Sequence, residues 1–128
     1  MENSIRKKTW RKFLLVRKKT NEELIEFYNK VYEDNMMWFA LASYISADNF
    51  WEINDNTTED NYNELVEKYN HNISKLEEIV YIIDCCDKVP EIDQKKINDY
   101  AVDGAVLLKD ELETVKNKWK AILERRNK

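Results

Sequence analysis

The chain has 128 residues, a formal net charge of −4 and 36% charged residues, yet only one glycine and one proline. This length suits one domain, and abundant charge with few turn-forming residues is typical of long solvent-facing helices. Tight hairpins and phosphate-binding loops require glycine, so the composition argues against a β-rich fold and against a nucleotide-binding loop. We therefore predict a single helical domain of the all-α class over residues 1–128.

The apolar segments are too short to place the chain in a membrane or in a secretory route. The longest run near the N-terminus covers residues 13–16, far below the roughly twenty apolar residues of a membrane span. We expect no transmembrane segment and a cytoplasmic location, where Cys85 and Cys86 are reduced thiols. The abundance of Asn, Lys and Ile is typical of AT-rich genomes, such as that of a low-GC bacterium or its phage.

Residues 4–19 form the first predicted helix, which is short and strongly basic. Residues 1–20 carry eight Lys or Arg against one acid. Apolar side chains recur at helical spacing on the side away from most of these cations: Ile5, Trp10, Phe13, Leu14 and Val16. Thr20 and Glu23 then match a capping box, which predicts the start of a second helix, although no glycine or proline separates it from the first.

The segment from Asn21 to Asn54 carries eight of the fifteen aromatic residues and is predicted to supply most of the core. We expect one long helix here, ending near Ala47, with a seam spaced alternately by four and three residues. The seam comprises Leu24, Tyr28, Val31, Asn35, Trp38, Ala42 and Ile45. We expect its one polar member, Asn35, to be buried and to set the register or pairing of the helices.

Two further long helices are predicted after a loop at residues 54–58. The third helix, capped by Thr57 or Thr58 and ending near Asp87, has the seam Tyr62, Val66, Tyr69, Ile73, Leu76, Val80 and Ile83. The fourth, with Pro90 in its first turn, has the seam Ile97, Ala101, Ala105, Leu108, Leu112, Val115, Trp119 and Ile122. Gly104 beside this seam indicates close approach of a bulky neighbour, for which we expect Trp38 or Phe39. The four segments predict an up-down four-helix bundle, with a short basic first helix and three long amphipathic helices.

Charge is strongly segregated along the chain. Basic residues prevail in residues 1–20 and 112–128, whereas residues 21–111 carry twenty-two acids and seven bases. The first and last helices of an up-down bundle are neighbours, so the sequence predicts one basic side and one acidic side.

The acidic side carries the leading functional hypothesis. Acids concentrate between residues 48 and 67 without any Lys or Arg, and aromatic side chains ringed by charge are typical of interface hot spots. We interpret the chain as a non-enzymatic, protein-binding regulator, of inhibitor, immunity or adaptor type, whose partner has a basic surface. The predicted contact residues are Asp48, Phe50, Trp51, Glu52, Asp55, Glu59, Asp60 and Glu64. A merely solvated loop and helix start is the competing interpretation.

The basic segments carry the alternative hypothesis, which is nucleic-acid binding by the first and last helices. Many cations on one short helix release counterions when they bind phosphate. The predicted contacts are Arg6, Lys7, Arg11, Lys18, Lys118 and Arg125. The basic helix is also compatible with the outer face of a bundle, with an acidic membrane surface or with a partner's groove. Seams this regular also leave a homo-oligomer open.

Catalytic and metal chemistry is not indicated. His71 is the only histidine, and Glu67 and Lys75 one turn away predict an exposed row of ion pairs. Cys85 and Cys86 lack the second pair of ligands that zinc requires, and the flanking aspartates would raise a thiol pKa. We therefore expect no enzyme activity, no metal and no cofactor.

Overall fold

The computed structural model describes residues 19–46 and 50–128, and within those ranges the chain is helical with no strand. Its helices are α1 (Asn21–Glu33), α2 (Met37–Ile45), α3 (Glu59–Ile82) and α4 (Glu91–Arg126), and a short 3-10 turn (Ile83–Cys85) follows α3. The all-α prediction is confirmed for this part of the chain. None of these four helices has both the length and the apolar composition that a membrane crossing requires. The basic helix predicted at residues 4–19 lies outside the described residues, apart from its last position, so the up-down bundle built on it stays a prediction.

Side-chain caps begin α1 and α3 where the sequence predicts them. The Thr20 Oγ1 accepts from the Glu23 N–H at 3.2 Å, and Glu23 Oε1 accepts from the Thr20 N–H at 2.8 Å, which completes the capping box. Thr58 caps α3 by accepting from the Asn61 N–H at 3.1 Å. Thr57 instead accepts from the Asn54 N–H at 2.8 Å and closes the preceding loop.

Helices α3 and α4 form an antiparallel hairpin that carries most of the core. The Tyr62 and Trp119 rings stack with centroids 4.6 Å apart, and the Lys109 Nζ lies 2.8 Å from Glu77 Oε2 nearer the turn. The predicted α4 seam is confirmed, since all its members are buried except the half-buried Val115. The α3 seam is only partly right: the helix also buries Leu65, Asn72, Ile79 and Ile82, while Tyr62, Val66 and Val80 are half-buried. Helix α3 contacts α1 and α2 as well as α4, and a helix with several partners buries a wider face than a two-helix seam.

The single long helix predicted after Thr20 is wrong, because the chain breaks between α1 and α2. Asn35 has φ 60°, in the left-handed region. The Asn35 N–H bonds the Tyr32 carbonyl at 3.0 Å, and the Met36 N–H bonds the Val31 carbonyl at 2.9 Å. This pair of bonds around a left-handed residue is a Schellman helix end, a position that Asn tolerates better than most residues. Asn35 is therefore an exposed terminator of α1 rather than the buried polar member of a seam.

The break also changes which side chains of α2 face the core. Met37 and Leu41 are buried, whereas the predicted Trp38 and Ala42 are exposed. The reason is geometric: a left-handed residue resets the direction of the helix axis and its phase, so spacings counted across it lose their meaning.

Helices α1 and α2 lie along the α3–α4 hairpin. The Tyr28 hydroxyl donates to Glu78 Oε2 at 2.5 Å, and the Asn72 side-chain amide donates to the Tyr44 carbonyl at 2.9 Å. A Cβ built on Gly104 would lie 2.6 Å from the Ile45 Cγ1, so close approach at this glycine is confirmed. The neighbour is Ile45 and not Trp38 or Phe39 as predicted.

Candidate functional site

The predicted acidic surface is held to the basic end of α4. Arg125 Nη2 donates to Asp55 Oδ1 at 2.5 Å, and the Arg126 guanidinium donates to the Asp55 and Thr57 carbonyls at 2.6 Å each. The Arg125 guanidinium also holds the pKa of Asp55 below its usual range. Asp55 and Arg125, which the sequence assigns to two rival sites, therefore bind each other.

The aromatic residues of that surface are engaged with the protein itself. The Phe50 and Tyr69 rings stack with centroids 3.9 Å apart, and Phe50 is half-buried. The Lys68 ammonium lies 5.3 Å from the centroid of the Trp51 ring, which keeps 37% of its surface exposed. These contacts dock the 50–57 segment on α3. The remaining predicted carboxylates are exposed around the start of α3: Glu52, Glu59, Asp60 and Glu64. Asp48 lies outside the described residues.

A second surface, which the sequence reasoning missed, is formed by the outer side of α2. No Asp, Glu, Lys or Arg occurs from Asn35 to Ser46, in a chain with 36% charged residues. Trp38 is 48% exposed and Phe39 65% exposed. A surface helix normally directs charged side chains away from the core, so an apolar outer side is unusual.

Side chains of α4 extend this apolar area. The Trp38 and Tyr100 rings meet edge to face with centroids 5.6 Å apart. Leu107 is exposed two helical turns after Tyr100 and therefore lies on the same side of α4. We call this area the aromatic surface, formed by the exposed Met36, Trp38, Phe39, Tyr100 and Leu107. Exposed apolar side chains that contact one another, as Trp38 and Tyr100 do, mark interaction sites more often than scattered apolar residues do.

A cleft of about 360 Å³ adjoins the aromatic surface at the junction of α1 and α2. Its lining residues are Tyr32, Glu33, Asn35, Met37, Trp38, Lys88 and Asp93. The Tyr32 hydroxyl donates to Asp93 Oδ2 at 2.5 Å, and this hydrogen bond is the main cause that raises the pKa of Tyr32. The Lys88 Nζ lies 4.0 Å from Glu33 Oε2, with both side chains about half exposed. The cleft thus combines two aromatic side chains, two carboxylates and one ammonium.

The histidine and the cysteines belong to neither surface. His71 is exposed, and partial desolvation, followed by the charge of Lys75, lowers its pKa. Burial raises the pKa of Cys86 to about 11, with smaller contributions from Cys85 and Asp87, while Cys85 is exposed. In the described ranges, no three His, Cys, Asp or Glu side chains are grouped so as to hold a metal ion.

The predicted nucleic-acid contacts are only partly described. Arg6, Lys7, Arg11 and Lys18 lie outside the described residues, Lys118 is exposed, and Arg125 is paired with Asp55.

Comparisons with protein-family models, with curated proteins and with solved structures find no match. A function is therefore inferred from geometry and charge alone.

Proposed function

We propose that this protein is a non-enzymatic regulator of inhibitor, immunity or adaptor type that binds another protein in the cytoplasm. The aromatic surface is the centre of contact. The single observation that carries the proposal is the exposed side of α2. This helix has no charged residue in a chain rich in charge, and Trp38 and Phe39 are exposed on it.

The composition of the aromatic surface matches that of an interface core. Such cores are depleted in charged residues and enriched in Trp, Tyr, Phe and Met, all of which occur here. Trp38 and Tyr100 are held by their mutual ring contact, so little side-chain freedom is lost when a partner covers them. Burying these exposed rings is worth about 25 cal/mol per Å² of apolar area.

The charges beside the aromatic surface favour a basic partner. Asp103 follows Tyr100 by three residues and precedes Leu107 by four, so it lies on the same side of α4, and Asp110 lies there too, two turns after Asp103. Lys96 also lies on that side, one turn before Tyr100. A second copy of the chain would bring these acidic rows together, which disfavours self-pairing through this face.

The predicted acidic surface attracts the partner protein, whereas the aromatic surface makes the anchoring contact. Its exposed carboxylates around the start of α3 attract the same basic partner over a Debye length of about 8 Å at physiological salt. Their expected effect is on the association rate, whereas loss of an aromatic anchor should raise the dissociation rate.

The proposal is tested by placing a benzophenone amino acid at position 39 and irradiating the protein in a lysate of its own source. The matched control carries the same group at position 81, because Tyr81 is also an exposed aromatic residue, 70% exposed. Tyr81 lies on the outer face of α3, between the directions of Glu77, which pairs with Lys109 of α4, and Glu78, which accepts from Tyr28 of α1. We expect one discrete protein adduct from position 39 that is absent from position 81. Equal adducts from both positions, or none from position 39, would contradict the proposal.

Nucleic-acid binding remains the alternative function, supported by the cations near the end of α4. Lys116, Lys118 and Lys120 are exposed there, although Arg125 and Arg126 are engaged by the 55–57 loop. Fluorescence anisotropy with mixed-sequence duplex and single strands, at about 50 and 200 mM salt, separates the two functions. Tight and salt-sensitive binding would favour the alternative.

A further inference from the structure

The cleft beside the aromatic surface exists because α1 ends abruptly. The left-handed Asn35 turns the chain away from α1, so the last turn of α1 and the first turn of α2 diverge. The first turn of α4 closes the third side, where Asp93 is bound by the Tyr32 hydroxyl. The cleft is open to solvent and continuous with the aromatic surface through Trp38, which belongs to both.

The chemistry of the cleft favours a cation over an anion or a neutral group. Glu33 and Asp93 carry two negative charges against the one positive charge of Lys88. The Glu33–Lys88 pair is long at 4.0 Å and solvent-exposed, and such pairs contribute little and rearrange readily. Asp93 accepts one hydrogen bond from Tyr32, and a carboxylate has acceptor sites for several.

Two aromatic residues narrow the choice among cations. Trp38 and Tyr32 line the cleft, and aromatic faces attract cations, most strongly in the case of Trp. A guanidinium is planar, stacks on aromatic rings and donates two parallel hydrogen bonds to one carboxylate. An ammonium group is compact and more strongly hydrated, so it uses the rings less well.

We infer that the cleft between α1, α2 and α4 is a receptor for an arginine side chain of the partner protein, which stacks against Trp38 and binds Asp93. This inference rests on the proposed function, because the arginine belongs to the partner protein that the proposed function assumes. The aromatic surface then buries the apolar residues that flank that arginine, and the cleft fixes the orientation of the partner.

The test is an NMR titration of the full chain that follows the Trp38 indole N–H. The ligand is N-acetyl-arginine N-methylamide, and its control is the citrulline analogue, in which a neutral urea of the same shape replaces the guanidinium. We expect a saturable shift with a dissociation constant on the order of millimolar for the arginine compound only. Equal shifts with the citrulline compound would overturn the inference.

Two variants assign the binding to the cleft. Asp93→Asn should weaken binding about fivefold or more, because it removes a charge-assisted hydrogen bond. Glu91→Gln removes a carboxylate from the same first turn of α4 but does not line the cleft, so it should leave binding unchanged. An equal loss of affinity in both variants would show a general effect of negative charge and would contradict a specific site at Asp93.

A third arm separates this inference from the proposed function. The peptide acetyl-Leu-Leu-Arg-Leu-Leu-amide should bind more tightly than the single arginine compound, and Phe39→Ser should remove that gain alone. Equal affinities of the peptide and the single arginine compound would assign the cleft to a free guanidinium compound. That result would overturn the inference that the cleft binds an arginine of a partner protein. Peptide binding that depends on Phe39 but not on Asp93 would overturn the cleft and leave the proposed function standing.

Discussion

The contact between α2 and α4 makes a quantitative prediction at Gly104. Glycine inside a helix is less favourable than alanine by about 1 kcal/mol, so Gly104→Ala would stabilise the protein if space were open. The new Cβ would instead lie 2.6 Å from the Ile45 Cγ1 and at ordinary contact distance, 3.4 Å, from the Leu76 Cδ1. Forced overpacking costs about 1–3 kcal/mol, so we expect a net destabilisation of about 1 kcal/mol.

The double variant isolates Ile45 as the cause. Ile45→Ala alone should cost about 1–2 kcal/mol, since the side chain is half-buried. In that background the clash is gone, and Gly104→Ala should stabilise by about 1 kcal/mol, giving a coupling of about 2 kcal/mol. Urea unfolding followed by circular dichroism measures all four proteins. A Gly104→Ala penalty of the same size in both backgrounds would refute the assignment of Ile45 and, with it, the seating of α2.

Three further predictions concern the helix end, the thiols and the alkaline limit of stability. Asn35→Gly should leave the free energy of unfolding unchanged or raise it, whereas Asn35→Val should lower it by about 1–2 kcal/mol, because only the β-branched residue is strained at φ 60°; equal effects in urea unfolding would contradict a left-handed helix end. Disulfide-exchange reagents should label Cys85 rapidly and the buried Cys86 only at the rate of unfolding, and mass spectrometry after a short pulse would reveal any second fast site. Burial and the Glu111 carboxylate raise the pKa of Tyr69 from 10.0 to about 12, so its contribution to stability is complete below pH 10 and lost as the pH rises toward 12. Tyr69→Phe should flatten this alkaline decline in unfolding measurements, and an unchanged decline would assign it to other groups.

Regular local signals in the sequence predicted α4 and the starts of α1 and α3 correctly. The seam from Ile97 to Ile122 is uninterrupted, and the capping box at Thr20 is completed by residues only three apart. Such features depend on neighbours in sequence, so a periodic pattern captures them.

The sequence-based predictions failed where a single residue decided the geometry. The spacing around Asn35 predicts a continuous seam. The left-handed conformation of Asn35 instead ends one helix before the next begins, and Trp38 is exposed. The charge-free stretch from Asn35 to Ser46 was a signal for the aromatic surface. It was not interpreted in that way because the predicted seam placed Trp38 in the core.

Contacts between distant parts of the chain were also beyond the sequence patterns. The pairing of Asp55 with Arg125 joins residues seventy positions apart and links the predicted acidic and basic sites. Likewise, periodicity indicated that something approaches Gly104, but the choice of Ile45 depends on how α2 is placed after the break.

The most direct measurement of the central claim is the affinity of the protein captured at position 39 for two serine variants. Phe39→Ser removes an exposed ring from the aromatic surface, and Tyr81→Ser removes a similarly exposed ring from the outer face of α3. Neither change should alter the free energy of unfolding by more than about 0.5 kcal/mol. We predict that Phe39→Ser weakens binding at least tenfold, as loss of an interface anchor does, and that Tyr81→Ser leaves it unchanged. Equal affinities of the two variants would contradict the claim that this protein acts through its aromatic surface.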